Sequence, residues 1–195
     1  MEAPGVLELV GDALEGQQNR VAAQDRSVEE LIADLVALTE DPEAGPATSD
    51  DAAIQAAEKR LGVELPEELE RVLRTQHAAA ALGWHATEEF ERADALGDEL
   101  GKLLRVEGAA WRDAELLVED LDGGSAAFPA GDLRSYLVLG RGILGDVILY
   151  DASASPKHAC CRVIETPVIQ DDTPTAYRDL HDWIATTWAL QRAVD

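Results

Sequence analysis

The sequence predicts an α+β fold, with helices first, then a mainly antiparallel β-sheet, then a closing C-terminal helix. Three observations carry this. Apolar residues recur at helical spacing through the first half of the chain; short apolar, β-branched runs separated by turn residues cluster after residue 115; and an amphipathic run closes the chain. Helices and strands are segregated rather than alternating, which argues against repeated βαβ units. At 195 residues the chain can bury a sizeable core, and its length suggests one domain with an accessory segment.

Residues 6–40 read as helical. The clearest stretch is Ser27 followed by VEELIADLVAL, where Ser27 can cap the helix and Glu30, three positions on, completes a capping box. Val28, Leu31, Ile32, Leu35 and Val36 then fall on one stripe. DPEAGPATSDD, residues 41–51, replaces that pattern with proline, glycine and small polar residues and reads as a linker. It divides an accessory helical segment, residues 1–50, which can either pack on the main domain or carry a partner contact, from that main domain, residues 51–195.

Beyond the linker, Asp50 or Asp51 can cap a helix that buries Ile54, Ala57 and Leu61 and stops at Gly62. Pro66 opens the next helix, where its missing N–H costs nothing, and Glu67 and Glu68 favour the first turn. LGVELPEELERVL is therefore a tight corner between two amphipathic helices. A weaker helical pattern runs on to about Leu104, interrupted by Gly97 and Gly101.

ELLVE, SYLVLG, GDVILY and CCRVI are the strand candidates. SYLVLG and GDVILY are apolar at consecutive positions, as expected of central strands covered on both faces, one of them by the helices. GRGIL between them suits a hairpin-like link. TAYRDLHDWIATTWAL places Tyr177, Leu180, Ile184 and Trp188 near one face of the last helix, with Thr175 as its expected cap.

Charge is the outstanding feature of the composition. Thirty-nine acidic residues face sixteen basic ones, for a net charge of -23. Such a surface repels phosphate backbones, so direct nucleic-acid binding is not expected, whereas a basic protein partner would be steered toward it. Only three of the basic residues are lysine, which fits salt adaptation or a GC-rich genome equally well. Adjacent Cys160 and Cys161 would point to opposite faces of a strand, which disfavours a structural bridge and suits a reduced, cytoplasmic setting. The start has neither a basic region nor a long apolar stretch, so neither a signal peptide nor a membrane span is expected.

Catalytic patterns are sparse. DLDGG, residues 120–124, lacks the ligand spacing of a calcium loop, and GRGILGD has neither dinucleotide nor P-loop spacing. His158, Cys160 and Cys161 could supply three zinc ligands, but no fourth group is identifiable. G-x-S-x-G, H-E-x-x-H and C-x-x-C are absent from the sequence. No cofactor or metal, and no enzymatic activity, is expected. Among the four tryptophans, Trp188 suits the sheet–helix core, while Trp84 and Trp111 lie beside charged stretches and could serve either packing or an interface.

AEKRLGVELPEELERVLRTQH, residues 57–77, resembles the opening signature of the SMI1/KNR4, or SUKH, superfamily. There a glutamate-bearing helix leads into L-G-x-x-L-P, and the next helix ends near an asparagine–glycine pair. Glu58, Leu61, Gly62, Leu65, Pro66, Leu69 and Leu73 fall on this pattern, and His77 followed by alanines replaces the asparagine–glycine pair. LVLGRGILGDVILYD resembles the family's strand pair, with Gly145 and Asp146 on its glycine–aspartate turn and Tyr150 and Asp151 ending the strand. The closing YRDLHDWIATTW resembles the final helix, so the likeness spans roughly residues 52–190.

The resemblance implies a SUKH-like fold. Similar bacterial proteins are largely immunity proteins that bind and neutralise toxin domains, often nucleases. The leading expectation is therefore an immunity or antitoxin-like protein that occludes a basic toxin domain. A regulatory or scaffold protein acting through protein–protein contacts is the alternative; an enzyme using carboxylates or His158 with Cys161 ranks below both. Expected partner contacts are Asp120 and Asp122 in a strand loop, Asp171 and Asp172 before the final helix, and Trp84.

Overall fold

The computed structural model describes residues 19–103, 112–120, 124–141, 147–152, 163–166 and 173–194. Within them lies an α+β arrangement in which helices flank one curled, mixed sheet. Helix α1 (Val28–Leu38) starts at the expected capping box. The Ser27 Oγ accepts the Glu30 N–H at 3.2 Å, and Glu30 Oε2 accepts the Ser27 N–H at 2.9 Å. Helix α2 (Asp51–Leu61) is capped by Asp50, whose Oδ1 accepts the Ala53 N–H at 2.8 Å, and it ends at Gly62 with φ 70°. Only glycine adopts that left-handed conformation without steric cost.

The corner from α2 into α3 (Glu67–Arg74) is tied by a side chain the motif contains. Glu58 Oε1 accepts the Leu65 N–H at 2.8 Å, while the Gly62 N–H donates to the Glu58 carbonyl at 2.8 Å. His77 then takes φ 60°, reversing the chain into the short helix α4 (Ala78–Ala81). The long weak helix expected over the next residues is instead broken into pieces. Positive φ at Gly83 (67°) and Gly97 (52°) interrupts it. Between these lie 3-10 turns at Thr87–Glu89 and Ala93–Leu96 and strand β1 (Glu91–Arg92); α5 (Asp98–Leu103) follows Gly97. Arg60 of α2 holds the first turn in place, donating to the Phe90 carbonyl at 2.6 Å and the Thr87 carbonyl at 3.2 Å.

The remaining strands are β2 (Glu115–Asp120), β3 (Ser125–Pro129), β4 (Leu137–Arg141), β5 (Val147–Tyr150), β6 (Val163–Thr166) and β7 (Thr175–Tyr177). Their order is β1-β4-β5-β6-β7-β2-β3, antiparallel throughout except that β2 and β7 run parallel. A 3-10 segment, Ala130–Ser135, joins β3 to β4 across five strand positions. A flat sheet would separate those strands by about 24 Å, whereas six 3-10 residues rise about 12 Å. The sheet therefore curls around that segment, and the Phe128 and Tyr136 rings meet edge to face at 6.2 Å.

Alternation along β4 and β5 assigns their side chains to two cores. Leu137, Leu139, Ile148 and Tyr150 face the helices; Val138, Val147 and Leu149 join Leu116, Val118 and Ile164 inside the curl. Burial of all four β5 residues matches the consecutive apolar run. Gly140 marks a close approach, because a Cβ there would sit 2.6 Å from the Trp84 Cα.

Helix α6 (Leu180–Val194) closes the fold. Its start corrects the sequence expectation. Thr175 does not cap it but belongs to β7, paired with Glu165 and Glu119, and the Asp179 carboxylate accepts the Asp182 N–H at 2.8 Å instead. Sheet pairing on both sides of β7 outweighs the local signal of a threonine before a helical pattern.

The described part of the expected accessory segment packs into the main core. Leu31, Ile32 and Leu35 are fully buried in the same cluster as Leu69, Tyr150 and Ile184, each worth about 1.5–3 kcal/mol relative to exposure. Arg26 donates to Asp34 at 2.8 Å and lies 5.1 Å from the Trp188 ring centre. The Trp188 Nε1 donates to the same carboxylate at 3.1 Å, and His181 Nε2 pairs with the Arg26 carbonyl at 2.8 Å. This clasp fastens α1 to α6. The linker is likewise anchored: the Ser49 N–H donates to the Leu73 carbonyl at 3.0 Å, and its hydroxyl bonds that of Thr87. Among the described residues, no helix is long and apolar enough to cross a membrane.

Candidate functional site

Strands β2 and β3 form a ribbon whose two faces differ sharply. Leu116 and Val118 turn into the curl and are buried; Glu115, Leu117 and Glu119, on the other face, are exposed. Directly opposite on β3 stand Pro129, Ala127 and Ser125, also exposed. The result is a small surface with Leu117 at its centre, 54% exposed, and a glutamate on either side. The helices that cover β4 and β5 do not reach it. Strand β3 is also the edge of the sheet, a place where an extended segment can add by backbone pairing.

Asp120 ends β2 and is exposed, within reach of this surface. Its Oδ1 accepts the Gly124 N–H at 2.7 Å, and its own N–H donates to the Gly124 carbonyl at 2.8 Å, so it also closes the ribbon's turn. Asp122, Asp171 and Asp172 lie outside the described residues. The chain just after the last two does run beside the ribbon, because the Glu119 N–H donates to the Pro174 carbonyl at 3.0 Å.

Trp84 sits elsewhere. It is 2% exposed, stacks on Trp183 with ring centres 5.9 Å apart, and bridges to Gly140. Of the two roles the sequence left open for it, core packing is the one its burial describes. Its Nε1 has no hydrogen-bond partner among the described residues. Trp111, His158, Cys160, Cys161, Gly145 and Asp146 fall outside the described residues. Among those described, no three His, Cys, Asp or Glu side chains cluster as metal ligands.

A second feature had no signal in the sequence. A cleft of about 870 Å³ opens beside the 3-10 segment. Its charged lining comprises Arg92, Arg134 and Arg178 with Asp94, Asp132 and Asp151, and its aromatic wall is Phe128 and Tyr136. Several of these charges are committed within the protein. Arg112 donates to Asp94 at 3.0 Å, and Arg178 forks onto Asp182 at 3.1 and 3.2 Å. Burial pushes the Asp182 carboxyl up, but hydrogen bonds and charge from Arg178 outweigh it and hold the group below its ordinary value of 3.8. Three arginines scattered over 86 positions converge only in the folded chain, so neither spacing nor composition could have marked them (Arg92 to Arg178).

Compared with protein-family models, curated proteins and solved structures, the chain matches none of them.

Proposed function

We propose that the chain is a non-enzymatic binding protein, SUKH-like in topology, that neutralises a basic toxin domain by covering its working surface. The observation that carries this reading is the uncovered face of the β2–β3 ribbon. An exposed leucine between glutamates offers an apolar anchor with a negative rim, on a protein of net charge -23. A basic partner would be steered there by charge and held by burial of Leu117.

The resemblance draws support from contacts between its two motif segments. Tyr150, which ends the family-like strand, donates its hydroxyl hydrogen to Glu68 Oε1 at 2.9 Å, just beyond the L-G-x-x-L-P corner. Glu58 ties that corner to its own helix. His77 adopts the left-handed conformation in the position where the family carries asparagine–glycine, residues that favour it.

The test pairs wild type with the triple variant Glu115→Lys, Leu117→Ser, Glu119→Lys. The tagged wild-type protein should retain one stoichiometric basic protein from lysate of its source cells. Raising the salt should weaken that capture, and adding the protein should relieve the partner's toxicity. The triple variant should lose both capture and protection. Equal capture by the variant moves the contact away from the ribbon; capture of several signalling or envelope proteins without toxicity favours the scaffold alternative.

A further inference from the structure

We infer that the arginine-lined cleft binds a zwitterionic small molecule of the α-amino acid kind. Its volume of about 870 Å³ suits a small ligand. Its charges are not all consumed internally. Among the described residues the Arg92 guanidinium has no partner, and Arg134 uses only its Nε, donating to the Gly131 carbonyl at 3.0 Å. The Asp132 carboxylate is likewise unengaged; Ser135 bonds its backbone carbonyl instead. Carboxylates outnumber basic residues 39 to 16, so two guanidinium groups that line a cleft with no carboxylate partner among the described residues run against the composition.

Each part of the ligand follows from one of these groups. Guanidinium donors on the cleft lining match the oxygens of a carboxylate. Asp132, on the same 3-10 segment as Arg134, offers an acceptor for an ammonium group. Phe128 is half-buried and braced edge to face by Tyr136, and presents an apolar wall for a side chain. The global field selects further. A ligand with net negative charge is repelled by a protein at -23, and a purely cationic one leaves the arginines unused. A molecule with both charges and no net charge satisfies both conditions.

Calorimetric titration with three probes of one skeleton tests this: phenylalanine, 3-phenylpropionate, which lacks the ammonium, and phenethylamine, which lacks the carboxylate. Phenylalanine should saturate the protein at millimolar concentration or below, with each analogue weaker by about tenfold or more. Arg92→Ala with Arg134→Ala should weaken phenylalanine by a similar factor while the thermal midpoint holds, since both side chains are exposed. Asp132→Asn should weaken phenylalanine and leave 3-phenylpropionate equal or tighter. The inference is overturned if phenylalanine does not saturate, if either analogue matches it, or if the double arginine variant binds it as wild type does.

Discussion

Two antiparallel strand pairs of one sheet have opposite fates. In β4–β5 both faces are buried, so consecutive residues are apolar; in the β2–β3 pair β2 buries Leu116 and Val118 on one face and carries Glu115, Leu117 and Glu119 into solvent on the other, while β3 is exposed but for the half-buried Phe128. Both pairs are antiparallel, with a register shift between Val138 and Gly140 in β4–β5 alone of the two. The difference lies in what the helices reach, and it separates residues that hold the fold from residues free to serve a partner.

The largest predicted contrast follows directly. Ile148→Ala, at a fully buried position, should cost about 2–5 kcal/mol in denaturant unfolding. Leu117→Ala should cost no more than about 0.5 kcal/mol while weakening partner binding. Equal costs at the two positions would mean that the ribbon is covered in solution. Gly140→Ala comes next. Its new methyl meets the Trp84 backbone, which cannot retreat as a side-chain tip can, and overpacking of this kind costs about 1–3 kcal/mol.

The helical layer over β4–β5 can be probed through its caps and acids. Ser27→Ala should cost about 1 kcal/mol of thermal stability by removing the capping box that starts α1. Asp34 is held below its ordinary value, first by the Arg26 hydrogen bond, which outweighs the opposing effect of burial, with the smaller Trp188 hydrogen bond adding to it; Asp182 is depressed through Arg178 against burial. A carboxyl depressed in the folded state stabilises it above the unfolded pKa, and that contribution disappears as pH falls through the folded value. Stability should therefore decline below about pH 4, with a shallower decline in Asp34→Asn and Asp182→Asn. A pH profile unchanged by both substitutions would remove the clasp from the account.

What the sequence made legible was local. Ser27 and Glu30, the Asp50–Asp51 pair, and Gly62 announce their roles because a cap or a left-handed stop needs a particular residue within three or four positions. The consecutive apolar residues of β5 announced two-sided burial. Thr175 misled because its strand is defined by partners at Glu119 and Glu165, which no local window includes. The linker composition of residues 41–51 gave no hint that α1 would pack on α6, a contact spanning 154 positions. The candidate ribbon was partly visible through Asp120 and its turn. Its exposed face was not, because the alternation in ELLVE does not say which face a helix will leave bare. The cleft was invisible for the same reason in stronger form.

The long reach of the α1–α6 clasp has a consequence for synthesis on the ribosome. Leu137, Leu139, Ile148 and Tyr150 are translated well before Trp183, Ile184 and Trp188, the residues that complete their covering layer. At roughly 5–20 residues per second, that apolar face waits seconds for its lid, longer than a small helical unit needs to fold. A chain stopped at residue 179 should bind a hydrophobic dye that the whole chain excludes. The last helix then sets when the nascent protein stops being a client for chaperones.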